Sequence, residues 1–132
     1  MYYIALCIVS VLIGGSYYLL FKNNTFLEQI VCKYINIIPT KEILPHVTSV
    51  FLQNHFCDLL WAFSLQSGLL AIFLPTKEGK IIISVTVVLS GAVWELFQRF
   101  GITVGTGDVI DVIMYVVGSA ATLLFTIEKE KK

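Results

Sequence analysis

The sequence predicts an all-α protein, an integral membrane four-helix bundle with an additional amphipathic interfacial helix between spans one and two. Three observations predict it. Hydrophobic residues make up 57% of the 132 positions and charged residues only 14%, against roughly 45–50% and about 25% in an ordinary soluble domain. Four windows of about 20 residues are apolar enough to cross a bilayer core, each residue of a helix rising about 1.5 Å. Most of the ionisable residues within those windows lie near their ends, and antiparallel connection gathers them at one end of the bundle. A chain this short has room for a single domain, residues 1–132, and a soluble fold of this composition would leave too much apolar surface in water.

The windows are 2–21, 55–74, 81–100 and 109–127. The first carries no charge. It also lacks a basic n-region and a small-x-small exit before Lys22, so it reads as a retained helix rather than a cleaved signal. The second has Asp58 near its start, the third Glu95 and Arg99 near its end, and the fourth Asp111 near its start.

Between the first two windows, Thr25 and Glu28 form a T-x-x-E capping box. Leu27, Ile30, Val31, Tyr34 and Ile38 then share one helical face, with Glu28, Gln29, Lys33 and Asn36 on the others. This segment, about 25–38 and stopped by Pro39, is predicted to lie in the membrane interface or over the bundle as a lid. Pro45, His46 and their neighbours read as loop, with Asn54 a candidate cap for the second span.

Four spans place both termini and the 75–80 connection on one side, with Lys77, Lys80, Lys129, Lys131 and Lys132. The other side holds Lys22, Lys33, Lys41 and Arg99. The positive-inside rule then predicts cytoplasmic termini in a plasma membrane. Nine basic and nine acidic residues cancel, which excludes a basic surface for nucleic acid. Cys7, Cys32 and Cys57 are odd in number and lack C-x-x-C spacing, so neither a disulfide framework nor a structural zinc site is expected.

The polar residues at the outer end fall into three stripes. His55 and Asp58 are three apart, Glu95, Gln98 and Arg99 are spaced i, i+3, i+4, and Asp108 and Asp111 are three apart, so each set lies on one face of its helix. Connection topology puts all three on one membrane face, predicting a pocket of Glu95, Gln98, Asp108 and Asp111 with Asp58 and His55, bordered by Arg99. Asp108 and Asp111 equally suit an N-cap and acidic first turn, and Arg99 suits the dipole of a helix C-terminus. Glu95 fits no such role. It lies about 7 Å inside its span, at the end whose dipole opposes a negative charge, and so requires a partner: a pocket or an ion pair with Arg99. Trp61 and Trp94 read as interface anchors. Ser64, Ser67 and Gly68, like Gly118, Ser119, Ala120 and Ala121, are small faces for close helix packing.

Trp94-Glu95-Leu96-Phe97-Gln98, followed by Gly105-Thr106-Gly107-Asp108-Val109-Ile110-Asp111 and Gly118, resembles the VanZ-like family of small bacterial membrane proteins. That family's pattern is a Glu-x-x-Gln at the end of one span, a short Gly-containing turn, and an Asp-rich start to the next span followed by a glycine. The likeness covers the last two spans well and the second, with Asp58 and Trp61, loosely. Many members carry Asn four residues after the second Asp, where this chain has Tyr115, and Arg in the turn, where it has Gly105.

The resemblance implies a bacterial cell-envelope setting and a link to resistance against glycopeptide antibiotics. Together with the pocket it leads to the expectation of an outward-facing site for a membrane lipid headgroup or a lipid-linked glycan precursor, without a cofactor. Two other classes remain open on the residues. A divalent cation held by the carboxylates and His55 would make a metal-assisted enzyme acting on a lipid-linked substrate. A small scaffold subunit would use the same residues only as interhelical glue.

Overall fold

The computed structural model of the chain describes residues 2–21, 33–34, 50–73, 75–103 and 106–130. They form four long helices: α1 (Tyr2–Phe21), α2 (Val50–Phe73), α3 (Lys77–Arg99) and α4 (Val109–Glu130). The all-α prediction holds. Three helical stretches, Asn54–Phe73, Lys77–Arg99 and Val109–Thr126, are long and apolar enough to cross a membrane, and α1 is apolar throughout Tyr2–Tyr17. Of the expected interfacial helix, only Lys33 and Tyr34 fall among the described residues. Both are helical, with the Lys33 ammonium 5.6 Å from the centre of the exposed Tyr34 ring.

Two helices start earlier than the hydrophobic windows. α2 begins at Val50, so Asn54 lies one turn inside it rather than capping it. α3 begins at Lys77, inside the stretch read as a connection. Thr76 is its N-cap, its hydroxyl accepting from the Gly79 N–H at 3.4 Å, and Glu78 supplies an acidic first turn. Capping and dipole chemistry extend a helix into polar sequence that hydropathy alone assigns to a loop.

At the far end of α3, Gly101 takes a left-handed φ of 69°. Its N–H donates to the Gln98 carbonyl at 3.0 Å and the Ile102 N–H to the Phe97 carbonyl at 2.8 Å. This is the Schellman pairing, which satisfies the last carbonyls of a helix and favours glycine at this position.

α2 is the centre of the fold. It packs extensively against α1 on one side and α4 on the other, α3 completes the group against α4 and α2, and α1 has no comparable contact with α3 or α4. The exterior is apolar, and the interior sets many polar residues around a small apolar cluster of Ala62, Val87 and Tyr115. Gln66, Ser67, Ser119, Thr122 and Thr126 are buried, while Ile72, Ile82, Leu89, Phe97, Val117 and Leu124 stand exposed. The hydroxyls of Ser67, Ser119, Thr122 and Thr126 are satisfied within the helices or between them, whereas the Gln66 amide nitrogen is buried without a hydrogen bond among the described residues. Thr122 and Thr126 donate to carbonyls one turn back at 3.0 and 2.8 Å. Ser84 and Ser119 lie 2.6 Å apart across α3 and α4, and Ser119 also meets Gln66 of α2. Such an arrangement suits surroundings that reward apolar contact on the outside and leave hydrogen bonds to join the helices.

Candidate functional site

The α3–α4 turn sets the site. Its return passes so close to the last turn of α3 that a Cβ on Gly107 would stand 2.8 Å from the Arg99 nitrogen and 2.9 Å from the Arg99 Cβ. Only glycine fits such an approach. The approach brings the Asp108 N–H to Glu95, donating to Oε2 at 3.1 Å. Asp108 itself is the N-cap of α4, its Oδ1 accepting from the Ile110 N–H at 3.0 Å, so its carboxylate serves the helix terminus.

Glu95 is buried, 5% exposed, and its second partner is Tyr115. The tyrosine hydroxyl lies 2.6 Å from Glu95 Oε1 and 3.2 Å from Asp58 Oδ1, joining α3, α2 and α4 at one atom. The Tyr115 ring is seated by a missing side chain: a Cβ on Gly91 would lie 2.6 Å from the Tyr115 Cε2. Glu95 is thereby compensated by a hydroxyl and a backbone N–H, not by Arg99. Arg99 is exposed and makes no ion pair among the described residues, so of the two partners open to Glu95 from the sequence, the ion pair with Arg99 is not formed and the Tyr115 bridge takes its place.

His55 and Asp111 form the other part of the site, His55 Nδ1 standing 2.5 Å from Asp111 Oδ1. Asp58 interacts with both Asp111 and Glu95, which makes one continuous polar group of His55, Asp111, Asp58, Tyr115 and Glu95, with Asp108 at its edge. Gln98 is half-buried one turn on, and its side chain makes no hydrogen bond among the described residues. Of the seven residues singled out from the sequence, five meet in the network: Glu95, Asp58, Asp111, His55 and, through its backbone, Asp108. No three His, Cys, Asp or Glu side chains among the described residues are grouped to hold a metal ion.

The residue missed by sequence reasoning is Tyr115. Its signal was present as spacing, since Asp111, Tyr115, Ser119, Thr122 and Thr126 all lie on one face of α4.

Beside the network opens a cleft of about 670 Å³. Its α1 wall is formed by Ser10, Val11, Gly14 and Gly15, its α2 wall by Cys57, Asp58, Leu60, Trp61 and Ser64, and Trp94 and Tyr115 complete the lining. Trp61 and Trp94, read from sequence as interface anchors, are half-exposed and face this space. The cleft is predominantly apolar with few polar groups, the composition of a ligand site.

No family model, curated protein or solved structure matches the chain.

Proposed function

We propose that the chain is a multi-pass membrane protein of VanZ-like type, with four spans in a bacterial plasma membrane and both termini cytoplasmic. On this reading its outward-facing polar pocket binds a cell-envelope component, a lipid headgroup or a lipid-linked glycan precursor. The observation that carries the reading is the opening of a buried carboxylate network, centred on Tyr115, onto a largely apolar cleft. An amphiphile has that same division into polar and apolar parts.

Three further features support it. Helices with apolar exteriors and a hydrogen-bonded polar interior suit lipid surroundings. Ionisable groups at bilayer depth are costly, and such groups mark functional sites more often than packing. The family assignment rests on the motif residues from Trp94 to Gly118 alone. The orientation rests on five lysines against four cationic residues, and labelling of a cysteine beside Lys132 from outside intact cells would reverse it.

The direct test is lipid retention. Gly15 lines the cleft and a Cβ built on it meets nothing within 4 Å, so Gly15→Leu should fill part of the cleft without a clash. Leucine also favours the helix over glycine by about 0.5–1 kcal/mol. The wild-type protein purified in mild detergent is expected to carry lipid detectable by native mass spectrometry, and Gly15→Leu to carry much less at unchanged thermal stability. Equal retention by the two proteins would place any bound lipid elsewhere.

A further inference from the structure

The polar end of the cleft has a definite chemical preference. Asp58 presents a carboxyl group to it, and the one proton of the Tyr115 hydroxyl points along the 2.6 Å contact to Glu95 rather than into the open space. Asp111 and Glu95 lie close to Asp58 and outside the lining, and the His55 imidazole is committed to Asp111. The described residues that line the cleft thus include a carboxyl group and no Lys, Arg or His. Such a surface disfavours a phosphate or a carboxylate and favours a cation that donates hydrogen bonds.

Aromatic rings complete the same space. Trp61, Trp94 and Tyr115 all line it, and the Trp61 and Tyr115 rings lie 5.5 Å apart at 60°, forming an angled wall. Ring faces attract ammonium groups, and several faces around one space are the usual means of recognising them. Interface anchoring would explain two half-exposed tryptophans. It would not explain their convergence with Tyr115 on a carboxyl group.

We propose that this end of the cleft binds the primary ammonium group of an aminophospholipid, whose acyl chain runs along the apolar wall formed by α1 and α2. The proposal rests on the lipid-binding reading above and names the headgroup. Asp58 supplies the counter-charge, the half-exposed Trp61 and Trp94 supply the ring faces, and Val11 and Leu60 contact the chain. Asp58 lies one turn inside α2 from Asn54, about 6 Å along the axis, a depth that an ammonium group drawn inward from the headgroup layer can reach.

The test is competition between two lipids of matched acyl chains. The full chain in detergent is mixed with equal amounts of phosphatidylethanolamine and phosphatidylglycerol, and the retained lipid is weighed by native mass spectrometry. Phosphatidylethanolamine should be retained in about tenfold excess, the ratio expected for one desolvated cation–ring and carboxylate site. Asp58→Asn and Trp61→Leu should each bring the ratio close to one. Trp94→Leu, at a half-exposed position, tests the ring contribution even where Asp58→Asn fails to fold. A wild-type ratio near one, or in favour of phosphatidylglycerol, would overturn the ammonium site. With Gly15→Leu still displacing the lipid, that outcome leaves the lipid-binding reading standing, whereas a wild-type protein that retains neither lipid overturns both. A preference that survives both ring substitutions also overturns the proposal.

Discussion

Replacing Gly118 with valine is expected to leave little folded protein. A Cβ at this position would collide with the Leu59 carbonyl oxygen of α2 and stand 3.2 Å from the Ala62 Cβ. The obstacle is backbone, so the strain cannot be relieved by rotating a side chain. α4 would have to withdraw from α2, and Tyr115, Ser119 and Thr122 would leave their places with it. Overpacking costs about 1–3 kcal/mol where side chains can adjust, and a backbone collision belongs at the top of that range or beyond it. Thermal unfolding in detergent, with Gly15→Leu as a control for glycine replacement as such, would measure the effect. A Gly118→Val protein as stable as wild type would mean that α2 and α4 are not in close contact there.

The second large effect is functional. Glu95→Gln is expected to reduce headgroup selectivity severalfold while keeping the fold, because the network can be rewired. The new amide oxygen can accept from the Asp108 N–H, and the amide nitrogen can donate to the Tyr115 oxygen. The tyrosine proton then turns to Asp58 Oδ1, 3.2 Å away, and together with the loss of the Glu95 charge weakens the pull of this end on a cation. Each group remains paired, so the stability change should stay within about 1 kcal/mol. Tyr115→Phe is the contrasting case. It leaves the buried Glu95 without its hydroxyl donor and should cost about 1–3 kcal/mol. Native mass spectrometry and unfolding of the two variants distinguish these outcomes. Loss of folding in Glu95→Gln, or full stability in Tyr115→Phe, would show that the hydroxyl bridge does not hold the site together.

The four helices were legible because hydropathy and length report on them directly, and antiparallel connection then required His55, Asp58, Glu95 and Asp111 to share one end. Glu95 identified itself by its depth and its place against the helix dipole. Its partner was not legible, since Arg99 at i+4 is the obvious local choice and Tyr115 becomes available only through the space above Gly91, a property of two helices in contact. Asp108 was ambiguous for a related reason. Its side chain caps α4 and its backbone N–H serves Glu95, and residue type alone does not separate the two roles. The early starts of α2 and α3 escaped a hydropathy window because Gln53 and Asn54, and Lys77 to Lys80, are polar residues that helices accommodate near their ends.

The attachment of α1 through α2 has a consequence for how the cleft would fill. The wall that carries Val11, Gly14 and Gly15 is a single helix joined extensively to only one neighbour. On the proposed reading, a ligand enters by parting that wall from within the plane of the membrane, without crossing water. The bilayer is then its reservoir, and occupancy follows the mole fraction of the lipid among its neighbours rather than any aqueous concentration. Dilution of the protein in buffer would leave the site filled, while dilution of the lipid within the membrane would empty it.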